Sequence, residues 1–386
     1  MKVQQYRLGN VATYINGYAF KPNEWDSKGL PIIRIQNLTG TSSLYNYYDG
    51  EIPDKYIVEK DDILISWSAS LGVYRWNGER ALLNQHIFKV EFNKIDIDKY
   101  YFMHIIGHVL RNVENFIHGS TMKHITKKDF DQLVVPVPSL NKQKKIAAVL
   151  DRAQALIDKR KKAITKLDEF IQAVFLDMFG DPILNNKGLS KVKLGDIGKW
   201  QSGGTPLRAQ PEYYTNGTFP WYTSGELNQT FICESQEYIT GKAIVETSVK
   251  KVEAGSLMLG MYDSAALKSS ITTCEATCNQ AIAFSKLDER KVVPLFVFYN
   301  IQLGKEYYKS QQRGVRQKNL NLSMIKNIEI LYPSLDMQRN FEIAVSKMNR
   351  LKKKMQQSLT QLETNFNALL QRAFKGELTS STDFEE

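Results

Sequence analysis

The sequence predicts an α+β fold with an internal pseudo-two-fold repeat, in which two mixed α/β domains are each followed by one long helix. The main observation is a pattern that occurs twice. Pro-Ser-Leu at 138–140 precedes Gln143, and the same tripeptide at 333–335 precedes Gln338. The offset of 195 residues is kept through the helical stretch that follows each copy. A repeat of this length constrains the architecture more than any single motif does.

Both helical stretches carry apolar residues at seven-residue spacing, which predicts a seam for another helix. Each helix of ~38 residues would be ~57 Å long, too long to bury its stripe against a small domain. We therefore predict that the two helices pair with each other. Asn141 and Asp336 are the expected N-caps, and Gly180 and Gly376 are the expected stop signals. The predicted helix-pairing residues are Leu150, Ile157, Ile164, Leu167, Ile171, Val345, Met348, Met355, Leu359 and Leu362.

The globular halves repeat less visibly than the helices. Short apolar runs such as Ile63-Leu64-Ile65 predict strands, and the spacing of apolar residues over 98–117 predicts a helix. Equivalent pairs between the halves include Leu8-Gly9 with Leu194-Gly195, Gly17 with Gly203, and Asn84-Gln85 with Asn279-Gln280. The predicted boundaries are a first domain at 1–140, a first helix at 141–180, a second domain at 181–334, a second helix at 335–378 and a polar, acidic tail at 379–386.

The chain of 386 residues has 51 Lys and Arg against 41 Asp and Glu, a net charge of +10. This excess favours a polyanionic partner, with nucleic acid before an anionic membrane. No segment approaches the roughly 18 apolar residues of a membrane span, and the first residues lack the apolar core of a signal peptide. We expect a soluble cytoplasmic protein with no membrane partner. Three cysteines, Cys233, Cys274 and Cys278, predict a reducing compartment without a disulfide framework.

Catalytic and metal-binding motifs are poorly represented. The chain has neither a phosphate-binding Gly-rich loop nor the Asn-Pro-Pro-aromatic tetrad of amino-methyltransferases. Glu289-Arg290-Lys291 resembles one part of a nuclease site, but no well-spaced Pro-Asp precedes it, and a solvated charge run is the better interpretation. His104 and His108 have metal-pair spacing without an evident third ligand. We therefore predict no catalytic residues and no metal, and we expect Cys274 and Cys278 to be small buried side chains.

Binding chemistry is better represented, above all in two loops at equivalent places. The segments 118–124 and 311–319 each contain Gly and mix basic and amide side chains, which form bidentate contacts with base edges and reach phosphates. A solvated loop is the plainer alternative for each. Two further pairs of segments are candidates, including 66–68 set against 260–262 with an aromatic in each. The predicted DNA-binding residues are Lys21, Arg34, Gln36, Asn37, Ser66, Trp67, Ser68, His118, Ser120, Thr121, Lys123, His124, Thr205, Arg208, Thr223, Ser224, Tyr262, Gln312, Arg313, Arg316, Gln317 and Lys318.

These motifs, in this order and twice over, resemble the DNA specificity subunit of type I restriction–modification systems. The resemblance covers essentially the full length. The residues that carry it are Leu8-Gly9 and Leu194-Gly195, the Gly-x-x-x-Lys loops at 119–123 and 314–318, the Pro-Ser-Leu-x-x-Gln elbows at 138–143 and 333–338, and the ending at 369–378.

The resemblance implies two target recognition domains joined by two helices packed as an antiparallel coiled coil. Each domain would bind one half of a bipartite, asymmetric site in double-stranded DNA, and the helices would set the spacer. Two modification subunits carrying S-adenosylmethionine would methylate adenine, and two restriction subunits using ATP and Mg would complete the nuclease. This chain would bind no cofactor itself. Two alternatives remain open: a coiled-coil adaptor that binds proteins without DNA specificity, and a standalone nuclease or methyltransferase.

Overall fold

The computed structural model describes residues 3–116, 126–310 and 319–378. The chain divides into two compact units, Met1–Lys161 with Gln357–Glu386, and Lys162–Gln356. Each unit therefore contains one mixed domain together with a part of both long helices. Within the described ranges, no helix has the length and apolar character needed to cross a membrane.

Strands and short helices alternate along the first half before the long helix begins. In chain order the elements are β1 (Gln4–Arg7), β2 (Thr13–Asn16), β3 (Leu30–Ile33), α1 (Ile35–Leu38), β4 (Asn46–Tyr48), β5 (Ile57–Val58), β6 (Ile63–Ser66), β7 (Gly72–Arg75), β8 (Ala81–Leu83), β9 (Ile87–Glu91), α2 (Lys99–Phe116), α3 (Lys127–Gln132), β10 (Val134–Val137) and α4 (Leu140–Phe179). The predicted helix over 98–117 corresponds to α2, and the predicted strand at Ile63-Leu64-Ile65 lies in β6.

The second half follows the same order of strands, with one addition. Its elements are β11 (Lys191–Lys193), α5 (Leu194–Ile197), β12 (Gln201–Ser202), β13 (Phe219–Tyr222), β14 (Phe231–Ile232), β15 (Tyr238–Ile239), α6 (Gly241–Glu246), β16 (Lys251–Val252), β17 (Leu257–Gly260), β18 (Ser269–Thr272), β19 (Ala276–Cys278), β20 (Ile282–Ser285), α7 (Pro294–Ser310), α8 (Leu322–Lys326), β21 (Glu329–Leu331) and α9 (Leu335–Lys375). The added strand is β14, and α6 is an added helix. A 3-10 helix, Leu8–Asn10, stands in the first half where the second has α5, and the 3-10 helix Ser224–Glu226 stands in the second half where the first has α1.

Strand pairing shows the repeat most directly. The first half contains the sheets β2-β9-β6-β7 and β4-β3-β8-β5 and the ladder β1-β10. The second half contains β12-β20-β17-β18-β14, β15-β13-β19-β16 and β11-β21. Each sheet of one half therefore has a counterpart in the other, and β14 is the one added strand among the described residues. The predicted α+β class with an internal repeat is confirmed.

One glycine in each half occupies the same tight crossing. The Gly17 amide donates to the Ile87 carbonyl and the Gly203 amide to the Ile282 carbonyl, both at 3.1 Å. A Cβ on Gly17 would lie 2.0 Å from the Asn84 carbonyl oxygen. A Cβ on Gly203 would meet backbone at a similarly impossible distance, so both positions require glycine for close approach of the backbone.

The glutamine of each Pro-Ser-Leu-x-x-Gln elbow is buried and bonded in the same way. Gln143 is 1% exposed; its Nε2 donates to the Pro138 carbonyl at 2.8 Å and its Oε1 accepts from the Asp98 amide at 2.7 Å. Gln338 is 0% exposed and makes the equivalent bonds to the Pro333 carbonyl at 3.0 Å and from the Val293 amide at 2.9 Å. Each glutamine thus ties the start of the long helix to the start of α2 or α7, which explains the recurrence of the motif.

The helices α4 and α9 pack together as antiparallel partners. In the second unit the Phe175 ring lies 5.4 Å from the Phe341 ring, and the Lys352 Nζ lies 2.6 Å from Asp168 Oδ1. A residue earlier in α4 therefore contacts a residue later in α9, as in an antiparallel pair. In the first unit Lys161 contacts Glu363 at 2.8 Å, with the same polarity. The antiparallel arrangement that the resemblance implied is therefore confirmed.

Seven of the ten predicted seam residues belong to or pack against the two cores, namely Leu150, Ile157, Ile171, Val345, Met348, Leu359 and Leu362. Among the ten, Leu150, Ile157, Ile171 and Val345 are buried. The others, Ile164, Leu167, Met348, Met355, Leu359 and Leu362, are half-buried. None of the ten is exposed, as expected for residues on the facing sides of two helices.

The helix ends confirm one prediction and correct another. Gly180 and Gly376 follow α4 and α9 directly with φ of 77° and 76°, a conformation that glycine adopts without strain. The expected N-caps were wrong, because α4 begins at Leu140 and α9 at Leu335, so Asn141 and Asp336 lie inside the first turn. At α9 the Ser334 hydroxyl accepts from the Met337 amide at 3.4 Å and takes the capping role.

The cysteines also depart from expectation. Cys233 and Cys274 form a disulfide across 41 residues, whereas the sequence predicted none. Pairing of β14 with β18 brings the two cysteines together, a contact that an odd cysteine count cannot reveal. Cys274 is therefore a bonded, half-buried residue, and only Cys278 is a free, buried thiol. Burial raises the pKa of the Cys278 thiol.

Candidate nucleic-acid interface

In the second half, candidate DNA-contacting side chains gather where β17 ends. Tyr262 follows β17 by two residues, is 36% exposed and forms an isolated bridge with Asn319. Ser224 lies against the same strand end, since a Cβ on Gly260 would be 3.5 Å from the Ser224 Cβ. We call this cluster the second rim; it consists of Thr205, Ser224, Tyr262, Gln280 and Asn319.

Amide and aromatic groups of the second rim surround an open cavity of about 470 Å³. The Thr205 hydroxyl donates a hydrogen bond to the Gln280 Oε1. This bond holds the Gln280 side chain in place, and its NH₂ group is the part that could contact a base. Amide side chains bond adenine edges in a bidentate way, and a phenol ring offers a stacking surface. The residues lining the cavity are Ser202, Met261, Tyr262, Gln280, Asn319, Leu320, Asn321, Leu322 and Met324.

In the first half the equivalent strand end carries an indole. The Trp67 Nε1 donates to the Asn16 Oδ1 at 3.2 Å. Its ring stacks on Phe88 at 5.7 Å and meets His86 edge-on at 5.3 Å. Trp67 is therefore half-buried and fixed in position. We call this cluster the first rim; it consists of Asn16, Trp67, Ser68, Gln85 and His86.

The register of the two sheets shows which rim residues are equivalent. The Trp67 amide donates to the His86 carbonyl at 3.3 Å, and the Met261 amide donates to the Ala281 carbonyl at 2.8 Å. Trp67 therefore corresponds to Met261, which is 3% exposed. Tyr262 corresponds to Ser68, so the two aromatics that the sequence placed together are one position apart.

Several predicted contacts have structural partners instead. Ser66 is 0% exposed and donates to the Ser70 carbonyl, so it cannot reach DNA in this conformation, and we remove it from the candidates. The Asn37 Oδ1 accepts from the Arg34 amide at 2.9 Å. Its Nδ2 donates to the Leu44 carbonyl at 2.9 Å, so its amide group closes a turn.

The two candidate arginines that the structure describes, Arg34 and Arg208, already have hydrogen-bond partners. The Arg208 guanidinium donates to both oxygens of Glu237, at 2.5 and 3.2 Å, and lies 5.1 Å from the centre of the Trp221 ring. The hydrogen bond to Glu237 raises the pKa of Arg208. Arg34 donates to Asn46 Oδ1 at 3.1 Å. A phosphate would have to compete with these partners.

The remaining candidates among the described residues lie in or directly before short helices. Lys21 and Gln36 are exposed, and the Thr223 hydroxyl donates to Glu226 at 2.8 Å. The loop residues His118, Ser120, Thr121, Lys123, His124, Gln312, Arg313, Arg316, Gln317 and Lys318 lie outside the described residues. The chain re-enters the described part at Asn319, and the Leu320 amide donates to the Met261 carbonyl at 2.7 Å. The exit of the second basic loop is therefore at the second rim.

Four residues of the two rims escaped the sequence prediction. Asn16, Gln85, His86 and Gln280 all have polar side chains at the strand ends, yet none was among the candidates; nor was Asn321, which lines the cavity beside the second rim. For Gln85 and Gln280 a signal was present, because Asn84-Gln85 recurs as Asn279-Gln280.

The two histidines on α2 serve packing roles. The His104 Nε2 lies 2.7 Å from Asp151 Oδ1, and the His108 ring lies 4.8 Å from the Phe374 ring. Burial, with a smaller contribution from the Arg111 charge, lowers the pKa of His108. Among the described residues, no group of three or more His, Cys, Asp or Glu side chains could hold a metal ion.

Comparison with known proteins agrees with this architecture. A family model described as type I restriction modification DNA specificity domain matches residues 1–168 and 186–371. Among curated relatives, the type I restriction enzyme EcoBI specificity subunit of Escherichia coli is 24% identical, over 97% of this chain and 85% of the relative. The StySPI specificity subunit of Salmonella potsdam is 23% identical, over 97% and 88%.

Two solved structures share the fold. The S subunit of a type I restriction-modification system from M. genitalium superimposes with a TM-score of 0.54 at 14% identity, covering 96% of each chain. A chain from work on complex assembly and conformational transition of the type I R-M system gives 0.62 at 13% identity, covering 98% of each. The family model covers both halves and most of the length, so this chain belongs to the type I restriction-modification DNA specificity family.

Proposed function

We propose that this chain is the sequence-recognising subunit of a type I restriction–modification complex, and that each half binds one part of a bipartite, asymmetric DNA site. The observation that carries this proposal is that the two halves share their strand pairing, while nearly every side chain of the first rim differs from its counterpart in the second half. A common backbone with different polar and aromatic groups suits two related but unequal base sequences.

The loops at 118–124 and 311–319 are proposed to add base and phosphate contacts beside the rims. Their Lys, Arg and His side chains bring positive charge, and neutralised phosphates make affinity fall steeply with salt. The net charge of +10 supports this assignment. The coiled-coil adaptor alternative predicts no retention on DNA even at low salt.

Two modification subunits are the proposed partners of the helices. Leu156 is 53% exposed and Leu351 is 49% exposed, and these two residues are separated by the repeat offset of 195. Each unit thus presents one apolar side chain at an equivalent helical position. Two equivalent contacts suit two copies of one partner.

Catalysis is proposed to lie in the partner subunits. The modification subunits would use S-adenosylmethionine to methylate adenine, and two restriction subunits would use ATP and Mg to cleave DNA. This chain would bind none of these cofactors. The lack of a phosphate-binding loop and of a methyltransferase tetrad in its sequence supports this division of labour.

The test is to map methylated adenines in cells that express the modification subunits with or without this chain. We expect methylation at a single bipartite motif only when the chain is present. Methylation of the same motif without it would contradict the proposal. Methyl transfer by the purified chain alone, given S-adenosylmethionine and DNA, would contradict the placement of catalysis in the partners.

A further inference from the structure

The two halves differ at one edge of their equivalent sheets. In the second half, β18 pairs with β17 on one side and with the added strand β14 on the other. In the first half, β7 pairs with β6, and no described strand lies on its other side. Edge strands left open in this way attract further strands, and proteins usually cover them.

The hydrogen-bond pattern between β6 and β7 shows which backbone groups of β7 face its open edge. The Trp76 amide donates to the Asp62 carbonyl at 2.9 Å. Because bonded and non-bonded positions alternate along an antiparallel pair, Val73 and Arg75 direct their amides and carbonyls away from β6. In the second half the residue equivalent to Arg75 is Ile271, whose amide donates to the Thr230 carbonyl of the covering segment at 2.8 Å.

Beside the edge lies a groove of about 490 Å³ with an apolar floor and basic walls. Val73, Met103 and Phe366 supply apolar surface, and Arg75 and Arg111 supply positive charge. Asp151 also lines the groove, but its carboxylate is bonded to His104 at 2.7 Å. This combination suits an extended strand that places an aromatic side chain and, two residues away, a carboxylate on the same face.

Arginine pairing in the groove is incomplete. Arg75 lies 3.6 Å from Asp61 and donates to the Tyr100 hydroxyl at 3.3 Å, while both ion-pair partners stay about half exposed. Among the side chains that the structure describes, which exclude those of 112–116, no carboxylate lies at salt-bridge distance from Arg111. A strand carrying a carboxylate would therefore improve the charge balance of the groove.

The chain itself contains such a segment. Residues 379–386, which lie outside the described part, include Asp383-Phe384-Glu385-Glu386. Leu378, the last described residue before them, is 2% exposed in the core cluster that also contains Phe366 of the groove. Phe366 precedes the end of α9 by nine residues, roughly 14 Å of helix, and six extended residues span roughly 20 Å.

We propose that residues 379–386 dock in this groove and add a strand to the open edge of β7. Alternate residues of a strand share a face, so Phe384 would lie on the apolar floor and the Glu386 carboxylate beside Arg75, with Arg111 adding positive charge nearby. The segment would cover in the first half the edge that β14 covers in the second. The proposal concerns one chain and does not depend on DNA recognition. Other occupants, a second copy or a partner subunit, are outcomes of the test.

The test is amide hydrogen exchange on the intact chain and on a variant that ends at Leu378. We expect the amides of Val73 and Arg75 to exchange roughly tenfold faster in the shortened variant. Exchange at Ile271 should be the same in both and serves as the internal control. A synthetic peptide of residues 379–386, added to the shortened variant, should restore protection.

Charge reversal tests the same contacts without shortening the chain. Arg75→Glu should remove protection at β7, and adding Glu386→Lys should restore it. If the arginine variant fails to fold, the tail variant alone should lose protection, since it leaves the core untouched. Lys128→Glu, an exposed lysine on α3, is the matched control. Equal exchange in the intact and shortened chains would overturn the proposal, as would protection that depends on protein concentration.

Discussion

At the end of β6 the first half places Trp67, and at the equivalent position after β17 the second half places the buried Met261. One residue later the contrast reverses, with Ser68 in the first half and the exposed Tyr262 in the second. The backbone hydrogen bonds at these positions are the same. The repeat therefore preserves the backbone hydrogen bonds that position each rim, while the rim side chains differ between the halves.

The long helices show the same principle across their seam. Asp168 and Glu363 are separated by the repeat offset of 195, and each accepts a lysine from the other helix. In the second unit that lysine is Lys352, at a seam position. In the first unit Ile157 occupies the equivalent position, and Glu363 pairs with Lys161 instead. One unit therefore carries a charge in its seam where the other is apolar.

The disulfide gives the largest expected difference between the halves, because all three cysteines lie in the second half. Reduction should lower the free energy of unfolding of the second unit by about 3 kcal/mol through loop entropy, with no effect on the first. Hydrogen exchange at β17 and β6, with and without reductant, measures both units at once. Alkylation of the unfolded, unreduced protein should modify Cys278 alone, and modification of all three cysteines would contradict the bond.

The elbow glutamines test whether the two frames are equally supported. Gln143→Ala and Gln338→Ala should each cost about 2 to 3 kcal/mol of unfolding free energy, because a buried amide and a buried carbonyl lose their partners. Chemical denaturation measures the loss. Lys144→Ala and Arg339→Ala, exposed residues at equivalent positions, are matched controls and should change little. A loss of unfolding free energy from only one of the two glutamine variants would show that this contact does not support the two halves equally.

Gln85 and Gln280 test the rims at one equivalent position. Gln280→Ala should weaken discrimination at the second half-site by about 1 to 2 kcal/mol, and Gln85→Ala should do so at the first, since each removes one amide capable of bidentate contact. Competition binding with singly substituted DNA sites measures the effect. Equal loss at both half-sites from either variant would show that the rims do not act separately.

The smallest expected effect concerns the seam. Lys352→Ile copies the first unit into the second and should change the unfolding free energy by less than about 1 kcal/mol, because a partly exposed ion pair is replaced by apolar packing. The reverse change, Ile157→Lys, should cost more, since Ile157 is 3% exposed. Thermal unfolding of both variants makes the comparison. A larger loss from Lys352→Ile would indicate that the charge fixes the register of the helices.

Features that repeat along the chain were predictable from sequence. The elbows and the heptads recur at the fixed offset of 195, and the stop glycines Gly180 and Gly376 follow the two helices one residue off that register, so position in the repeat identified them. Contacts between distant segments were not. The one-residue shift between Trp67 and Tyr262 depends on sheet register, and the bond between Cys233 and Cys274 depends on an added strand. Asn37 looked like a base contact because an amide suits both a turn and an adenine edge.

Methylation mapping with one altered rim tests the central claim most directly. Cells expressing the modification subunits with Tyr262→Ala should methylate sites degenerate in one half of the motif only. Trp67→Ala should produce degeneracy in the other half, because we propose that each rim binds its own bases. Degeneracy in the same half from both variants, or an unchanged motif from both in folded protein, would contradict the account.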